Sequence, residues 1–156
     1  RLNNQMGGPG YYLFKLEHPQ HSPHYEYHLH DPNDAASHRR SVYRFIVRSQ
    51  PDPFMTILDC ADSSKSTPLR VETLTSIQAL ALLNNKFNLA LAQHFASDLQ
   101  ATQATPVDQV TQAFSRLTGR LPSTAEQSEL LAYAKQHGLE NLCRLLYNLH
   151  EFVFVD

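Results

Sequence analysis

Histidine is concentrated in one short part of the chain, where it could bind a metal ion. Six of the nine histidines fall between positions 18 and 38: His18, His21, His24, His28, His30 and His38. Neutral imidazole is a good ligand for zinc, copper, nickel or iron. On a strand His28 and His30 point to the same side and can share one ion, to which His21 and His24 add ligands from the preceding loop. The alternative is a polar loop that uses histidine only as a soluble residue, since structural zinc sites usually recruit cysteine or a second ordered element.

Arginine recurs at intervals of four in the next segment. On a helix, Arg40, Arg44 and Arg48 share one face, where like charges are destabilising unless acids or a bound anion compensate. One interpretation is an anion site for a carboxylate, sulfate, phosphate or charged polysaccharide, because the planar guanidinium suits bidentate contacts. We favour structural ion pairs, because buried arginine is normally paired. Under either interpretation the residues concerned are Arg40, Arg44, Arg48, Asp59, Arg70 and Glu72, with Asp62 and Asp156 as further acidic partners.

Other side chains offer weaker signals. Asp59, Asp62 and Glu72 could act as paired carboxylates for acid–base chemistry, as in hydrolases. Cys60 and Cys143 could pair in an oxidising compartment, but their spacing does not require it, and we favour a free buried thiol for Cys143 because it lies among leucines. The sequence contains no Cys-x-x-Cys pair, glycine-rich phosphate loop or His-Glu-x-x-His pair. None of the familiar catalytic or metal motifs is therefore present.

Length and composition indicate one ordinary globular domain. The chain has 156 residues, of which 42% are hydrophobic and 18% charged, as in folded proteins and unlike disordered tails. The net charge of −2 provides no basic field, so we expect no nucleic-acid partner. We also expect no membrane span, because no apolar run reaches about 18 residues. The chain begins with arginine, and we interpret it as a piece of a longer protein.

The first part of the chain is predicted to be a non-helical arm. Residues 11–16 and 25–30 are rich in aromatic side chains and read as two short extended segments, which could form a hairpin across a long loop. From Ser37 the spacing of apolar residues becomes that of a helix, which we expect to end at Pro51 and Pro53. A polar loop is expected over residues 59–68.

Capping patterns place the remaining helices. Thr75 with Gln78 and Ser123 with Glu126 match capping boxes, and Thr105 before a proline suits a third helix start. We expect a helix from Thr75 to Leu83, a break at Asn84 and Asn85, and resumption to about Leu99. A later helix carries Val107, Val110, Phe114 and Leu117 inward, and a final one spans residues 139–153. The prediction is a mainly α fold, an irregular bundle of four to five helices over residues 37–156, with a non-helical N-terminal arm over residues 1–36 and a short β-hairpin within it.

An ordered set of polar landmarks identifies a family resemblance. The landmarks are an arginine pair before Ser-Val-Tyr at 39–43, Pro-Phe-Met at 53–55, Leu-Asp at 58–59, Arg-x-x-Thr at 70–73, Gln-Ala-Leu at 78–80, Leu-Asn-Asn at 83–85 and a closing element at 148–156. The chain resembles the planctomycete-type C-terminal domain of unknown function found in large multidomain proteins. The resemblance covers about residues 39–156. Thr75, Ser76 and Ile77 depart from the usual proline-leucine pair, and His150 and Phe154 depart from an asparagine and a tyrosine.

The resemblance implies context rather than chemistry. It implies an exported protein, periplasmic or at the cell surface, whose upstream parts often include cytochrome c-like domains and sometimes carbohydrate-binding modules. Haem would then belong to those upstream parts, and this chain would need no cofactor beyond a metal ion at the histidines. We predict a non-catalytic structural, interaction or ligand-recognition module whose partners are other domains of the parent chain and, as a further candidate, polysaccharide. The alternatives are part of a metal- or carboxylate-dependent hydrolase acting on anionic polysaccharide, and an accessory to a haem electron-transfer domain.

Overall fold

The computed structural model describes residues 3–17, 22–69 and 73–154. Contacts divide the chain into two units, Arg1–Ala81 and Leu82–Asp156. The strands within the described residues are β1 (Lys15–Glu17) and β2 (His24–Glu26). The helices there are α1 (Pro53–Ile57), α2 (Ser76–Asn84), α3 (Lys86–Thr102), α4 (Pro106–Thr118), α5 (Thr124–His137), α6 (Leu139–Leu146) and α7 (His150–Val153). The prediction of a mainly α fold with a short hairpin near the N-terminus is confirmed, whereas the predicted boundary after residue 36 stays a prediction.

The hairpin is shorter than the aromatic pattern indicated. β1 and β2 are antiparallel, with Lys15 opposite Glu26 and Glu17 opposite His24. The second predicted strand does not extend to residue 30, because the chain turns into a single 3-10 turn at Tyr27–Leu29. The Tyr27 hydroxyl donates to the Gln50 carbonyl at 2.7 Å, and this long-range bond favours the turn over continued strand. The prediction that His28 and His30 share one side of a strand is therefore wrong.

Aromatic rings form the centre of the first unit. Phe14 is buried, and its ring contacts those of Tyr12, Tyr25, Tyr27 and Phe45, with ring centroids 5.0–6.2 Å apart. Edge-to-face arrangements of this kind suit the charge distribution of aromatic rings. The aromatic residues that suggested strands therefore serve packing on the hairpin.

The predicted helix over residues 37–51 is wrong. The segment contains only 3-10 turns, Ala35–Ser37 and Ser41–Tyr43. Its backbone bonds instead to the N-terminal segment, since the Tyr11 N–H donates to the Tyr43 carbonyl at 3.1 Å and the Phe45 N–H donates to the Tyr11 carbonyl at 2.8 Å. Gly10 allows this approach, because a Cβ there would lie 2.9 Å from the Tyr43 carbonyl oxygen. Pairing with a distant segment has replaced the local helix, and the arginines therefore share no helical face.

A short helix that sequence reasoning missed follows this segment. Pro51 and Pro53 were expected to end a helix, but Pro53 begins α1. The Asp52 side chain caps α1 by accepting from the Phe54 N–H at 2.9 Å. Aspartate before a proline is a recognised helix start, because the proline lacks an amide that would otherwise be unpaired. The predicted loop after residue 59 is present.

The later helix starts are confirmed. At α2, the Thr75 N–H donates to the Gln78 side chain at 2.8 Å, and the Gln78 N–H donates to the Thr75 hydroxyl at 3.2 Å. Thr105 caps α4, and Ser123 with Glu126 forms a capping box at α5. The break between α2 and α3 is also confirmed. These interactions span three residues or fewer, which is why the sequence alone predicts them.

The second unit packs its helices around one apolar core. Its buried members are Ala92, Ala96, Leu99, Val110, Ala113, Phe114, Leu142, Cys143 and Leu146. Small alanines on α3 let α6 approach closely, which accounts for the extensive contact between these two helices. Val107, predicted to face inward, is 42% exposed. In the described part of the chain, no helix has the length and apolar character to cross a membrane.

The predicted single helix over residues 139–153 is also wrong. α6 ends at Leu146, and α7 begins after Leu149, whose backbone is extended. Glu151 on α7 makes two hydrogen bonds with Arg120, which follows α4. This tertiary contact accounts for the change of direction that a continuous helix would prevent.

Candidate functional site

The first unit contains a concavity with a volume of about 300 Å³. Four stretches of chain line it: Tyr27, residues 44–48, residues 51, 52, 55 and 56 around α1, and residues 60–64. Two of the three arginines that recur at intervals of four, Arg44 and Arg48, are on its wall. Two basic side chains, Arg44 and Arg48, and two acidic ones, Asp52 and Asp62, line it, so the positive and negative charges of its lining are equal in number.

Arg44 is committed to a buried ion pair. Its Nη1 lies 2.8 Å from Oδ2 of Asp52, and the two side chains are only 8% and 9% exposed. The other carboxylate oxygen of Asp52 caps α1, so one aspartate serves both the helix and the arginine. Sequence reasoning named Arg44 as an ion-pair candidate but missed Asp52. The Asp-Pro-Phe pattern of a helix start was the available signal.

Arg48 is placed differently. Its side chain is exposed, and Nη2 makes one long hydrogen bond, 3.4 Å, to the Ser64 carbonyl. Asp62 accepts from the Ser64 N–H at 2.9 Å and from the Ser64 hydroxyl at 2.6 Å. These hydrogen bonds from Ser64 lower the pKa of Asp62, with Lys65 contributing less. Arg48 and Asp62 thus bind the same residue without forming an ion pair with each other.

Arg39 and Arg40 have separate roles. Arg39 donates to the carbonyls of Gln5, Gly7 and Pro9, and its guanidinium lies 3.9 Å from the centre of the Tyr43 ring. It therefore holds the N-terminal segment in place. Arg40 is exposed and makes no ion pair with a described carboxylate. It also does not line the concavity that Arg44 and Arg48 line.

Asp59 holds the start of α2. Its Oδ2 accepts from the Thr73 N–H at 2.7 Å, the Thr73 hydroxyl at 2.8 Å and the Gln78 amide at 2.9 Å. Asp59 also has a positive φ of 58°, a conformation that aspartate tolerates better than most residues. Arg70 and Glu72, predicted to belong with Asp59, lie outside the described residues.

The histidines are spread over different surroundings. His24 is exposed in β2, and His28 is exposed with Nδ1 3.1 Å from Glu26. His30 is half-buried, and desolvation lowers its pKa, against the smaller opposing effect of Asp34 and Asp31. His18 and His21 lie outside the described residues. Within the part that the structure describes, no group of three or more potential ligands converges on a common point, and the metal site stays a prediction.

The second unit has charged contacts that the sequence did not reveal. Arg120 binds both Glu126 and Glu151, at 2.7 Å and 2.9 Å. Its hydrogen bonds, and those from Ser123, lower the pKa of Glu126 to about 2. Glu151 therefore pairs with Arg120 and not with Arg144. Arg144 instead donates to the Leu83 carbonyl at 2.6 Å, at the end of α2.

The two cysteines also differ in environment. Cys143 is buried and free, as predicted, whereas Cys60 is exposed beside the concavity. Burial raises the pKa of the Cys143 thiol to about 12. Cys143 is consequently an apolar core residue rather than a nucleophile.

Fold and site together define a mainly helical module in which the landmark side chains Arg39 and Asp59 bind other groups of the same chain. A model of the family described as PSD1, protein of unknown function DUF1553, matches residues 1–134. The chain belongs to this family, which confirms the resemblance found from the landmarks. The match includes the hairpin that precedes the landmarks and stops before the closing element at 148–156. No curated protein and no solved structure matches the chain.

Proposed function

We propose that the chain is a non-catalytic structural or interaction module of an exported multidomain protein, and that its charged residues Arg39, Arg44 and Asp59 stabilise the fold. The observation that carries this proposal is where those side chains end. Arg44 ends on Asp52, Arg39 on backbone carbonyls, and Asp59 on Thr73 and Gln78. Groups that act on a substrate need at least one face directed at it, whereas these contacts are made within the protein.

The exported context rests on the family resemblance. Members that resemble this chain occur in large proteins, so other domains of the parent chain are the first partners to consider. An antibody raised against this fragment should detect the parent protein in the periplasmic or cell-surface fraction of the source cells. Recovery in the cytoplasmic fraction alone would contradict the exported context.

The hydrolase alternative makes a different prediction about Asp59. Removing a catalytic carboxylate commonly leaves stability unchanged or raises it, because active sites are built at the expense of stability. A stabilising residue does the opposite. Because three donors converge on one oxygen of Asp59, Asp59→Asn should lower the free energy of unfolding by about 1–3 kcal/mol.

Asp62→Asn is the matched control, since Asp62 makes only local contacts in an exposed loop. We expect little change for this variant. Native-state hydrogen exchange, which does not require the two units to unfold together, measures both. If Asp59→Asn is as stable as the parent chain or more stable, the structural role of this landmark is refuted and a role in chemistry becomes the better explanation.

A further inference from the structure

We propose that the concavity in the first unit binds a small carboxylate with an apolar body, and that Arg48 is the residue that contacts the carboxylate. This goes beyond the structural role proposed above, because it assigns a ligand class to the concavity through Arg48, which is not one of the residues given a stabilising role. The volume of about 300 Å³ is at the lower end of the range for small-molecule sites.

Arg48 carries the available positive charge on this wall. The other arginine, Arg44, is neutralised by Asp52 at 2.8 Å and is more than nine-tenths buried. Arg48 is exposed, makes one hydrogen bond of 3.4 Å, and forms no ion pair with a described residue. Most of its five donors are therefore free, and two parallel N–H groups match the two oxygens of a carboxylate.

The neighbouring wall is apolar. Phe45 and Ile46 both line the concavity and are 48% and 52% exposed, while Val47 and Met55 line it with less exposure. Adjacent exposed apolar side chains beside a charged donor suit a ligand with one charged end and an apolar body. A purely polar ion would leave that wall in contact with water.

Asp62 restricts the charge of the ligand. It lines the same concavity, and hydrogen bonds from Ser64 keep it ionised. The lining has as many acidic as basic side chains, so a dianion such as sulfate or phosphate gains less than it would at an arginine cluster. A monoanion that contacts Arg48 and avoids Asp62 is the better fit.

Titration of the ¹⁵N-labelled chain with benzoate, followed by NMR, tests the proposal. We expect shifts of the Phe45 and Val47 amides, weaker binding at higher salt, and weaker binding of benzamide and of acetate, which lack the charge and the apolar body respectively. Arg48→Gln should weaken benzoate binding at least about tenfold, because it removes a charge-assisted contact. Arg40→Gln changes another exposed arginine, one that does not line the concavity, and should bind benzoate as the parent chain does.

Several results would overturn the proposal. These are unperturbed amides in saturating benzoate, equal binding to the parent chain and Arg48→Gln, or equal binding of benzoate and benzamide. Tighter binding of benzylammonium than of benzoate would assign the concavity to cations through Asp62 and would equally exclude a carboxylate site. None of these outcomes depends on the stability of Asp59→Asn, so the ligand site and the structural role can fail independently.

Discussion

Breaking the Arg44–Asp52 pair tests whether the first unit depends on buried charge. We expect Arg44→Met to lower the free energy of unfolding of this unit by about 3 kcal/mol. Methionine keeps most of the apolar stem but removes the positive charge that lies 2.8 Å from the Asp52 carboxylate. That carboxylate is only 9% exposed, so it would be left buried without a counter-charge. Exposed pairs, in comparison, contribute about 0–1 kcal/mol.

The magnitude follows from what each partner retains. The general range for breaking a buried pair is about 3–5 kcal/mol. The lower end applies here, because Asp52 still accepts from the Phe54 N–H at 2.9 Å. Nε of Arg44 is also buried without a hydrogen-bond partner, and methionine relieves that cost.

A double-mutant cycle separates the pair from its surroundings. Asp52→Asn keeps an oxygen that can cap α1 but removes the negative charge. The double variant Arg44→Met/Asp52→Asn should be more stable than the sum of the two single losses predicts, with a coupling of about 2 kcal/mol, because no charge is then left unpaired. Arg40→Met is the control for replacing an arginine in the same segment.

Native-state hydrogen exchange is the appropriate assay. The chain consists of two units, so a single two-state transition for the whole chain is not assured. The amides of Tyr11 and Phe45 donate the two hydrogen bonds that join Tyr11 to residues 43–45. Their exchange rates therefore report opening of the first unit. Equal protection in Arg44→Met and Arg40→Met, or a coupling near zero, would refute the reasoning.

Two further predictions concern the second unit. The pKa of Glu126 is lowered to about 2, so its stabilising contribution is complete above the unfolded pKa of about 4.3 and is lost as the pH falls towards 2. Urea unfolding between pH 6 and pH 2.5 should therefore show a smaller loss of stability on acidification in Glu126→Gln than in the parent chain. An identical loss in both would contradict the pairing of Glu126 with Arg120. Burial of Cys143 raises its pKa to about 12, so iodoacetamide at pH 8 should label only Cys60 in the folded chain. In urea it should label both cysteines, and mass spectrometry counts the labels. Labelling of both cysteines in the folded chain would show that Cys143 is accessible.

Local chemistry explains what the sequence predicted correctly. The Thr75–Gln78 and Ser123–Glu126 caps depend on side chains and amides three residues apart, so the pattern contains the whole interaction. The pattern failed between residues 37 and 51, where apolar spacing favoured a helix. The competing bonds come from Tyr11, more than thirty residues earlier, and no local pattern contains them.

The candidate site shows the same division. Arg44 was named from its spacing, but that spacing was interpreted as a helical stripe, and the actual partner Asp52 became visible only through tertiary structure. The concavity is lined by four separate stretches of chain, so its shape could not be derived from any motif. Asp59 was predicted as an acidic partner of the arginines, and the contacts that the structure describes for it, with Thr73 and Gln78, span 14 and 19 residues.

The position of Arg39, Arg44 and Asp59 follows from the difference between the two cores. The described buried apolar side chains of the second unit include nine that pack as one cluster, whereas those of the first unit are Tyr11, Phe14 and Val47. A unit with so little buried apolar surface gains less from the hydrophobic effect, and a fully bonded polar network can specify its arrangement instead. Arg39, Arg44 and Asp59 each join segments distant in sequence, which is the task that an apolar core performs elsewhere. Arg39, Arg44 and Asp59 therefore lie in the unit that most needs polar contacts to fold.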